Sequence, residues 1–233
     1  MGFADLHLHL LPAVDDGART MDDALAMARV LVSLGFTDAA PSPHNRSEYA
    51  PREVCVQRLH EVQAALDAAG IALKLHVNSE NQFVDEKLLD EGRPLAGGPY
   101  MLIEAPYTTP LPVLPDVIFR LKLKGVTPVI AHPERCLEFE KKGRAEEAVN
   151  RGALLQLDIA ALVGRYGAQA KKLARTFLDE GLYAIAASDM HSPVGAQKWL
   201  AESIAALEKA VGSKGLQRLL AEGPASLLRG APV

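Results

Sequence analysis

Residues 100–132, with the sequence YMLIEAPYTTPLPVLPDVIFRLKLKGVTPVIAH, contain the pattern that decides the fold. Two apolar runs of strand length, 100–104 and 127–131, flank a segment at 114–124 whose periodicity predicts an amphipathic helix. Gly125 follows that segment, at the position where a left-handed residue ends many helices. A strand, a helix and a second strand in this order form a right-handed βαβ unit, so the pattern predicts a parallel sheet.

The same alternation extends along the whole chain. The predicted strands are 2–7, 37–40, 72–78, 100–104, 127–131, 154–158 and 183–188. The predicted helices are 21–34, 51–69, 84–91, 114–124, 144–150, 168–180, 196–210 and 214–220. Strands that alternate with helices predict an α/β fold, but periodicity alone leaves a closed barrel and an open doubly wound sheet as alternatives.

Composition narrows the classes of protein to consider. The chain has 233 residues and a net charge of −4, which argues against a nucleic-acid-binding surface built on bulk charge. No linker or repeat divides it, so a single domain over 1–233 is expected. Its two cysteines cannot form a disulfide framework. The N-terminus lacks a basic region and no run of about 18 apolar residues occurs, so we expect a cytoplasmic protein without membrane insertion.

Five of the seven histidines lie at or just after the ends of predicted strands. His7 and His9 stand two residues apart in an extended segment, so both imidazoles can point the same way. Asp189 and His191 repeat that spacing after the last strand. Because the carboxyl ends of parallel strands meet at one rim, we expect nine side chains to form a metal site there. They are His7, His9, Asp16, His44, Glu80, Glu104, His132, Asp189 and His191.

Four of these nine side chains are carboxylates. Two carboxylates about 4 Å apart repel by roughly 4 kcal/mol at an effective dielectric near 20, so such a cluster needs cations. The mixed imidazole and carboxylate set suits manganese, iron or zinc and lacks the thiolates of structural zinc sites. Three divalent ions would bring about +6 against −4 and leave a positive pocket that suits a phosphate dianion. We interpret His60, in a predicted helix, and His76, within the third strand, as residues outside this site.

At these residues the chain resembles the PHP (polymerase and histidinol phosphatase) superfamily, and within it the bacterial capsule-associated, manganese-dependent protein-tyrosine phosphatases. The matching stretches are Asp5-Leu-His-Leu-His9, Val14-Asp-Asp-Gly17, Ser42-Pro-His-Asn-Arg46, Ser79-Glu80, Ile103-Glu104, Ala131-His-Pro-Glu-Arg135 and Ser188-Asp-Met-His191. The resemblance implies a distorted (β/α)7 TIM-like barrel with three divalent ions, manganese or alternatively iron or zinc. The implied ligand sets are His7, His9, Glu80 and Asp189 for one ion, Glu80, Glu104 and His132 for a second, and Asp16, His44 and His191 for the third.

The resemblance also implies a substrate and a partner. Members of this branch dephosphorylate tyrosine kinases that control polysaccharide export, so the implied partner is a phosphotyrosyl protein, a cognate bacterial tyrosine kinase. Arg135 would neutralise charge on the phosphoryl oxygens, with Arg46 as a further candidate, while water activated by the metal ions attacks phosphorus. The alternative role for Arg135 is a surface salt bridge with Glu134. Ala196 replaces the family's second phosphate-binding arginine, so either the phosphate is held more weakly or Arg46 or Lys198 supplies that contact.

Other interpretations stay open at this point. A small-molecule phosphatase such as a histidinol-phosphate phosphatase is the nearest. Amidohydrolase and metal-dependent deoxyribonuclease barrels also begin with His-x-His, but they do not need the third-metal ligands Asp16 and His44. A binding module with a degenerate site is the non-enzyme alternative. Cysteine-dependent phosphatase chemistry is excluded, since neither Cys55 nor Cys136 is followed six residues later by arginine. The proline-rich loop 106–115 is predicted to be a surface connection, with substrate binding as its alternative role.

Overall fold

The computed structural model describes residues 2–83 and 90–233, so the helix predicted at 84–91 lies almost wholly outside the described residues. The strands within the described ranges are β1 (Phe3–Asp5), β2 (Phe36–Ala39), β3 (His44–Asn45), β4 (Lys74–Leu75), β5 (Glu80–Gln82), β6 (Tyr100–Glu104), β7 (Thr127–Ala131), β8 (Leu154–Asp158) and β9 (Tyr183–Ala187). They form two sheets, in the orders β1-β2-β4 and β3-β5-β6-β7-β8-β9. Every one of these strand pairs is parallel, as the βαβ pattern predicts.

The second and third predicted strands correspond to β2 and β4 in the first sheet, and a further short strand after each of them, β3 or β5, lies in the second sheet. After β2 the chain passes through Pro41 and Pro43 before β3 begins, because proline cannot donate to a ladder. The prediction of one strand over 72–78 is wrong in extent, since only β4 pairs there and the chain pairs again at β5. Glu80 therefore begins a strand in the second sheet and does not end the third predicted strand.

The two sheets follow one another around a distorted barrel. Beyond β1, Leu8 makes a parallel bridge with Met190, just after β9. Two backbone hydrogen bonds support this contact, from Asp189 N to His7 O (2.9 Å) and from His9 N to Met190 O (2.9 Å). The last strand therefore lies beside the first, and the carboxyl ends of the strands share one rim. The predicted α/β fold with a TIM-like form is confirmed.

The helices lie between the strands in the predicted order. Their described bounds are α1 (Met21–Ser33), α2 (Arg52–Ala68), α3 (Leu114–Leu123), α4 (Arg144–Asn150), α5 (Gly167–Asp179), α6 (Ala196–Gln217) and α7 (Gly223–Leu228). Short 3-10 segments lie at Leu95–Gly97, Pro133–Arg135, Leu137–Glu140 and Ile159–Val163. Gly212 breaks α6 with a φ of 70°, close to the interruption predicted between the last two helices. No helix in the described part of the chain is both long and apolar enough to cross a bilayer.

Alternate residues of the strands pack into two separate cores. On β6, Leu102 belongs to a smaller cluster with Val129 and Ile185, whereas Ile103 belongs to a larger cluster that includes residues of the surrounding helices. Strands that are buried on both faces are typical of parallel α/β sheets. This packing fixes the strands on both sides, so the side chains at their carboxyl ends extend from a rigid frame.

Candidate metal centre

His7 and His9 lie in the segment that follows β1, and each ring is oriented by a hydrogen bond. His7 donates from Nδ1 to Gln156 Oε1 (2.8 Å), and His9 donates from Nδ1 to Asp15 Oδ2 (2.7 Å). With the proton on Nδ1, the lone pair of each ring lies on Nε2. Both Nε2 atoms are buried and have no hydrogen-bond partner among the described residues. Two orphaned imidazole nitrogens, held in a metal-binding tautomer, fit a metal site.

The two Nε2 atoms face the same pair of buried carboxylates. His7 Nε2 lies 3.4 Å from Glu80 Oε1 and 3.3 Å from Asp189 Oδ1. His9 Nε2 lies 3.6 Å from Glu80 Oε2 and 3.4 Å from Asp189 Oδ1. These separations are too long for strong hydrogen bonds, and the two imidazoles and two carboxylates would together supply donors that suit a divalent ion.

All nine predicted ligands take part in groups whose ligand atoms lie within 4.8 Å of one another. The groups found in the described residues are His9, Asp16, His44 and His191; His7, Glu80 and His132; His7, His9 and Asp189; and His44, Glu80 and Glu104. The set predicted for the third ion, Asp16, His44 and His191, falls within one of these groups. Three of the four ligands predicted for the first ion, His7, His9 and Asp189, form another. Glu104 groups with His44 and not with His132, so the division of ligands among individual ions stays a prediction.

Histidines and carboxylates in this cluster shift one another's pKa values. Burial lowers the pKa of His7, but Glu80 and Asp189 outweigh burial and raise that pKa to about 9. Burial likewise opposes the charged form of His44, yet Asp16 and Glu80 raise its pKa to about 9. Burial raises the pKa of Glu80, whereas His7 and other histidines hold it well below its usual value. The cluster therefore favours the ionised form of Glu80 in a buried setting, and protons and metal ions compete for the same imidazole nitrogens.

Two of the predicted ligands have a strained backbone. His132 has a φ of 33° and Asp189 a φ of 50°, which lie in the left-handed region that side chains other than glycine rarely adopt. Such conformations persist where the surrounding structure over-determines them, and they concentrate at functional sites. His132 directly follows β7, Asp189 lies two residues after the end of β9, and both side chains belong to the cluster.

Arg135 lies beside the cluster in the 3-10 turn after β7. Its Nη1 donates to Asp158 Oδ2 (3.1 Å) and to Asp189, and its Nη2 donates to the hydroxyl oxygen of Tyr107 (3.0 Å). Glu134 contacts other groups, accepting from Tyr183 Oη (2.7 Å) and from Asp158 N (2.8 Å). The alternative of a surface salt bridge between Arg135 and Glu134 is therefore wrong, because Glu134 is buried on another side.

The other residues considered for phosphate contacts are Arg46, Lys198 and Ala196. Arg46 pairs with Glu104, whose second oxygen is buried without a hydrogen-bond partner in the described chain. Ala196 is fully buried at the start of α6, while Lys198 is exposed. Within the described residues, Arg46 and Arg135 are thus the arginines that pair with predicted ligand carboxylates.

Sequence reasoning missed several residues that support the site. Gln156 and Asp158 lie two residues apart at the end of β8, the one strand end from which no ligand was predicted. Asp15 stands next to a predicted ligand but instead holds His9. Tyr107 lies in the loop predicted to be a surface connection, yet its hydroxyl contacts Arg135. Gln156 and Tyr107 lack the chemistry of an obvious metal ligand, and the carboxylates Asp15 and Asp158 could have been found only by their position at the rim.

The two histidines predicted to lie outside the site do not belong to the cluster. His60 is exposed on α2, and His76 pairs through Nε2 with Asp38 (2.8 Å). Cys55 and Cys136 are buried free thiols. Burial raises the pKa of both thiols, which opposes nucleophilic thiolate chemistry.

Fold and site together define an α/β barrel with a candidate metal centre at the carboxyl rim of its strands. Residues 3–229 match the family described as capsular polysaccharide synthesis, CpsB/CapC. The chain belongs to this family.

Relatives with assigned names agree with this membership. The chain is 33% identical over 236 residues to the tyrosine-protein phosphatase YwqE of Bacillus subtilis, covering 97% of this chain and 91% of that protein. A solved structure matches this chain with a TM-score of 0.89 and 30% identity, covering 99% of this chain and 96% of that one. It comes from work on YwqE from Bacillus subtilis and CpsB from Streptococcus pneumoniae, which are described there as unique metal-dependent tyrosine phosphatases. An organophosphorus hydrolase variant from Deinococcus radiodurans matches with a TM-score of 0.59 and 12% identity, covering 97% and 93%, which shows a likeness of fold alone.

Proposed function

We propose that this chain is a metal-dependent phosphomonoesterase, a protein-tyrosine phosphatase, with one catalytic domain over 1–233. The observation that carries the proposal is the meeting of five histidines and four carboxylates at one rim, where the Nε2 atoms of His7 and His9 have no hydrogen-bond partner within residues 2–83 and 90–233. The relatives named as tyrosine phosphatases favour this activity over a histidinol-phosphate phosphatase or another metallohydrolase barrel.

The nine side chains would hold three divalent ions, with manganese as the first candidate and iron or zinc as alternatives. When bound, such ions supply Lewis-acid stabilisation and activate water for attack on phosphorus. The ligand set has imidazole and carboxylate donors but no thiolate, which fits a catalytic and not a structural site.

The protein's own groups supply orientation and charge. Gln156 and Asp15 hold His7 and His9 so that their Nε2 atoms face the cluster. Arg135 presents N–H donors at the rim, where they can bind phosphoryl oxygens as negative charge develops on them. Arg46 is the second candidate for such contacts, since its guanidinium already binds a carboxylate at the same rim.

The proposed substrate is a phosphotyrosyl protein, specifically a cognate bacterial tyrosine kinase of polysaccharide synthesis or export, met in the cytoplasm. A phenolic leaving group has a pKa of about 10, so it needs less proton assistance than an alkyl alcohol. This agrees with a rim whose donors are arginines and whose nearby phenol, Tyr107, has its pKa raised by burial.

The test uses purified protein, a phosphotyrosyl peptide and histidinol phosphate. We expect hydrolysis of the peptide with a higher kcat/KM, loss of activity with EDTA and recovery with Mn²⁺. Elemental analysis of the protein before and after chelation gives the number of ions lost.

The comparison of substrates separates the proposal from its rival. A higher kcat/KM for histidinol phosphate would reverse the substrate assignment. Full activity after exhaustive removal of metal would contradict the metal-dependent mechanism itself. Elemental analysis must show that the ions have left, since tightly held ions could otherwise survive the chelator.

A further inference from the structure

Two tyrosines from different loops meet on one arginine at the rim. Tyr107 lies in the loop after β6, and Tyr166 directly precedes α5. The Arg135 Cζ atom lies 4.9 Å from the centre of the Tyr107 ring and 4.0 Å from the centre of the Tyr166 ring. Both distances are within the range in which a guanidinium is attracted to the face of an aromatic ring.

Polar contacts fix the same guanidinium in the remaining directions. Nη2 donates to Tyr107 Oη (3.0 Å), and Nη1 donates to Asp158 Oδ2 (3.1 Å). Asp158 is itself buried, and its Oδ1 accepts from Ala160 N (2.9 Å). Nη1 also donates to Asp189, so the arginine is held by two ring faces, one hydroxyl and two carboxylates.

The two rings remain partly open to solvent although they contact a buried network. Tyr107 is 39% exposed and Tyr166 is 36% exposed, whereas the Arg135 side chain between them is 17% exposed. Arginine has many rotamers, and a guanidinium that must bind a phosphoryl group loses less freedom if the protein already holds it in place. Aromatic side chains with few torsions are well suited to hold it.

Building on the proposed function, we infer that Tyr107 and Tyr166 are positioning residues that hold the Arg135 guanidinium ready to bind the phosphoryl group of the substrate. Tyr107 acts through its ring and its hydroxyl oxygen, and Tyr166 acts chiefly through its ring, while its hydroxyl also interacts with Asp158. The loop 106–115 thus contributes to the site through a residue that acts on Arg135.

The test compares Tyr166→Leu with Tyr166→Phe in the manganese-loaded enzyme. Tyr166→Leu removes the ring face, and we expect affinity for inorganic phosphate, measured by calorimetry, and kcat/KM for a phosphotyrosyl peptide both to fall about tenfold. Tyr166→Phe keeps the ring and should stay within about threefold of the wild type, since its cation–π contact is retained. Phe119→Leu, which changes an exposed aromatic residue on α3, is the matched control and should leave both values unchanged.

A double-mutant cycle separates positioning from general structural damage. In an Arg135→Ala background, Tyr166→Leu should have no further effect on phosphate affinity, because the group it positions is gone. Metal content and melting temperature, measured on every variant, show whether the fold and the ligands are intact.

The outcomes of these measurements separate the inference from the proposed function. Equal losses from Tyr166→Leu with and without Arg135, an unchanged phosphate affinity, or no phosphate binding by the wild type would overturn the inference. Phosphate binding with the expected non-additivity, but without turnover of any phosphoester, would support the inference and count against the proposed function.

Discussion

At the scale of single residues, two adjacent carboxylates have different roles. The Asp15 side chain is fully buried and accepts from His9 Nδ1, His44 N and Gly17 N. Asp16 is 53% exposed at the side chain, and its Oδ1 lies 3.4 Å from His44 Nε2. One carboxylate orients ligands and the other is available as a ligand, although the sequence presents them as a pair.

Asp15→Asn tests the orienting role. An amide at this position cannot accept all three hydrogen bonds as a carboxylate does, so the His9 tautomer is less firmly fixed. We expect affinity for Mn²⁺, measured by titration of the metal-free protein, to fall about 10–100-fold. Asp22→Asn on α1 is the control and should leave the affinity unchanged. An unaltered affinity in the Asp15 variant would show that His9 does not need this partner.

The ligand candidates could be predicted from sequence because their chemistry is distinctive at strand ends. His7 and His9 at spacing i, i+2 and the isolated His44, Glu104 and His132 needed only the rule that parallel strands share a rim. The supporting residues could not be found in the same way. Gln156 is an ordinary amide, and only the position of its side chain beside His7 gives it a role.

At the scale of elements, the loop between β1 and α1 is folded tightly against its own first residues. Ala18 N donates to His9 O (3.0 Å), and Gly17 lies so close to His9 that a Cβ there would meet His9 O at 2.2 Å. The loop presents Asp15 and Asp16 to the cluster from this position. Only glycine permits that approach without a backbone shift.

Gly17→Ala tests the close approach. The added methyl group must displace the backbone of His9 or its own loop, so we expect a loss of about 1–3 kcal/mol in the free energy of unfolding, measured with urea. Affinity for Mn²⁺ should fall as well, because two site residues move with the loop. Gly70→Ala is the matched control, since Gly70 has a φ of 64° in open space. It should lose about 1 kcal/mol from backbone strain and keep its metal affinity.

Strands and helices with a regular pattern of apolar residues could be predicted from the sequence. Strands whose ends depend on where the neighbouring strand stops pairing could not. The strands at 100–104, 127–131 and 154–158 match β6, β7 and β8 residue for residue. The segment 72–78 is apolar enough to predict one strand, yet it pairs only at Lys74–Leu75. Its partner β2 ends before Pro41, which cannot donate a backbone hydrogen bond, so the extent of pairing depends on a residue outside the segment.

At the scale of the whole molecule, the site joins the two ends of the barrel. His7 and His9 follow the first strand, Asp189 and His191 follow the last, and the Leu8–Met190 bridge brings these segments together. Cations bound between them would link the ends of the fold through ligands far apart in sequence. Binding of this kind stabilises the native state, because the unfolded chain does not preserve the site.

Removal of metal should therefore lower the melting temperature of the protein. At a free metal concentration about 100 times Kd, binding contributes about 2.7 kcal/mol. For a chain of this size, that corresponds to a difference on the order of 5–10 °C between the manganese-loaded and EDTA-treated forms. Sodium chloride at matched ionic strength controls for screening. Equal melting temperatures would mean that the cluster does not bind metal in the folded state.

The left-handed backbone at His132 and Asp189 has a consequence for how such chains diverge. As long as selection preserves the ligand, both positions must retain a side chain that disfavours its own conformation. Once catalysis is no longer required, exchange to glycine relieves that strain, and asparagine is tolerated better than most residues. Glycine or asparagine at either position in a descendant would therefore identify a lineage that has lost catalytic activity but kept the fold.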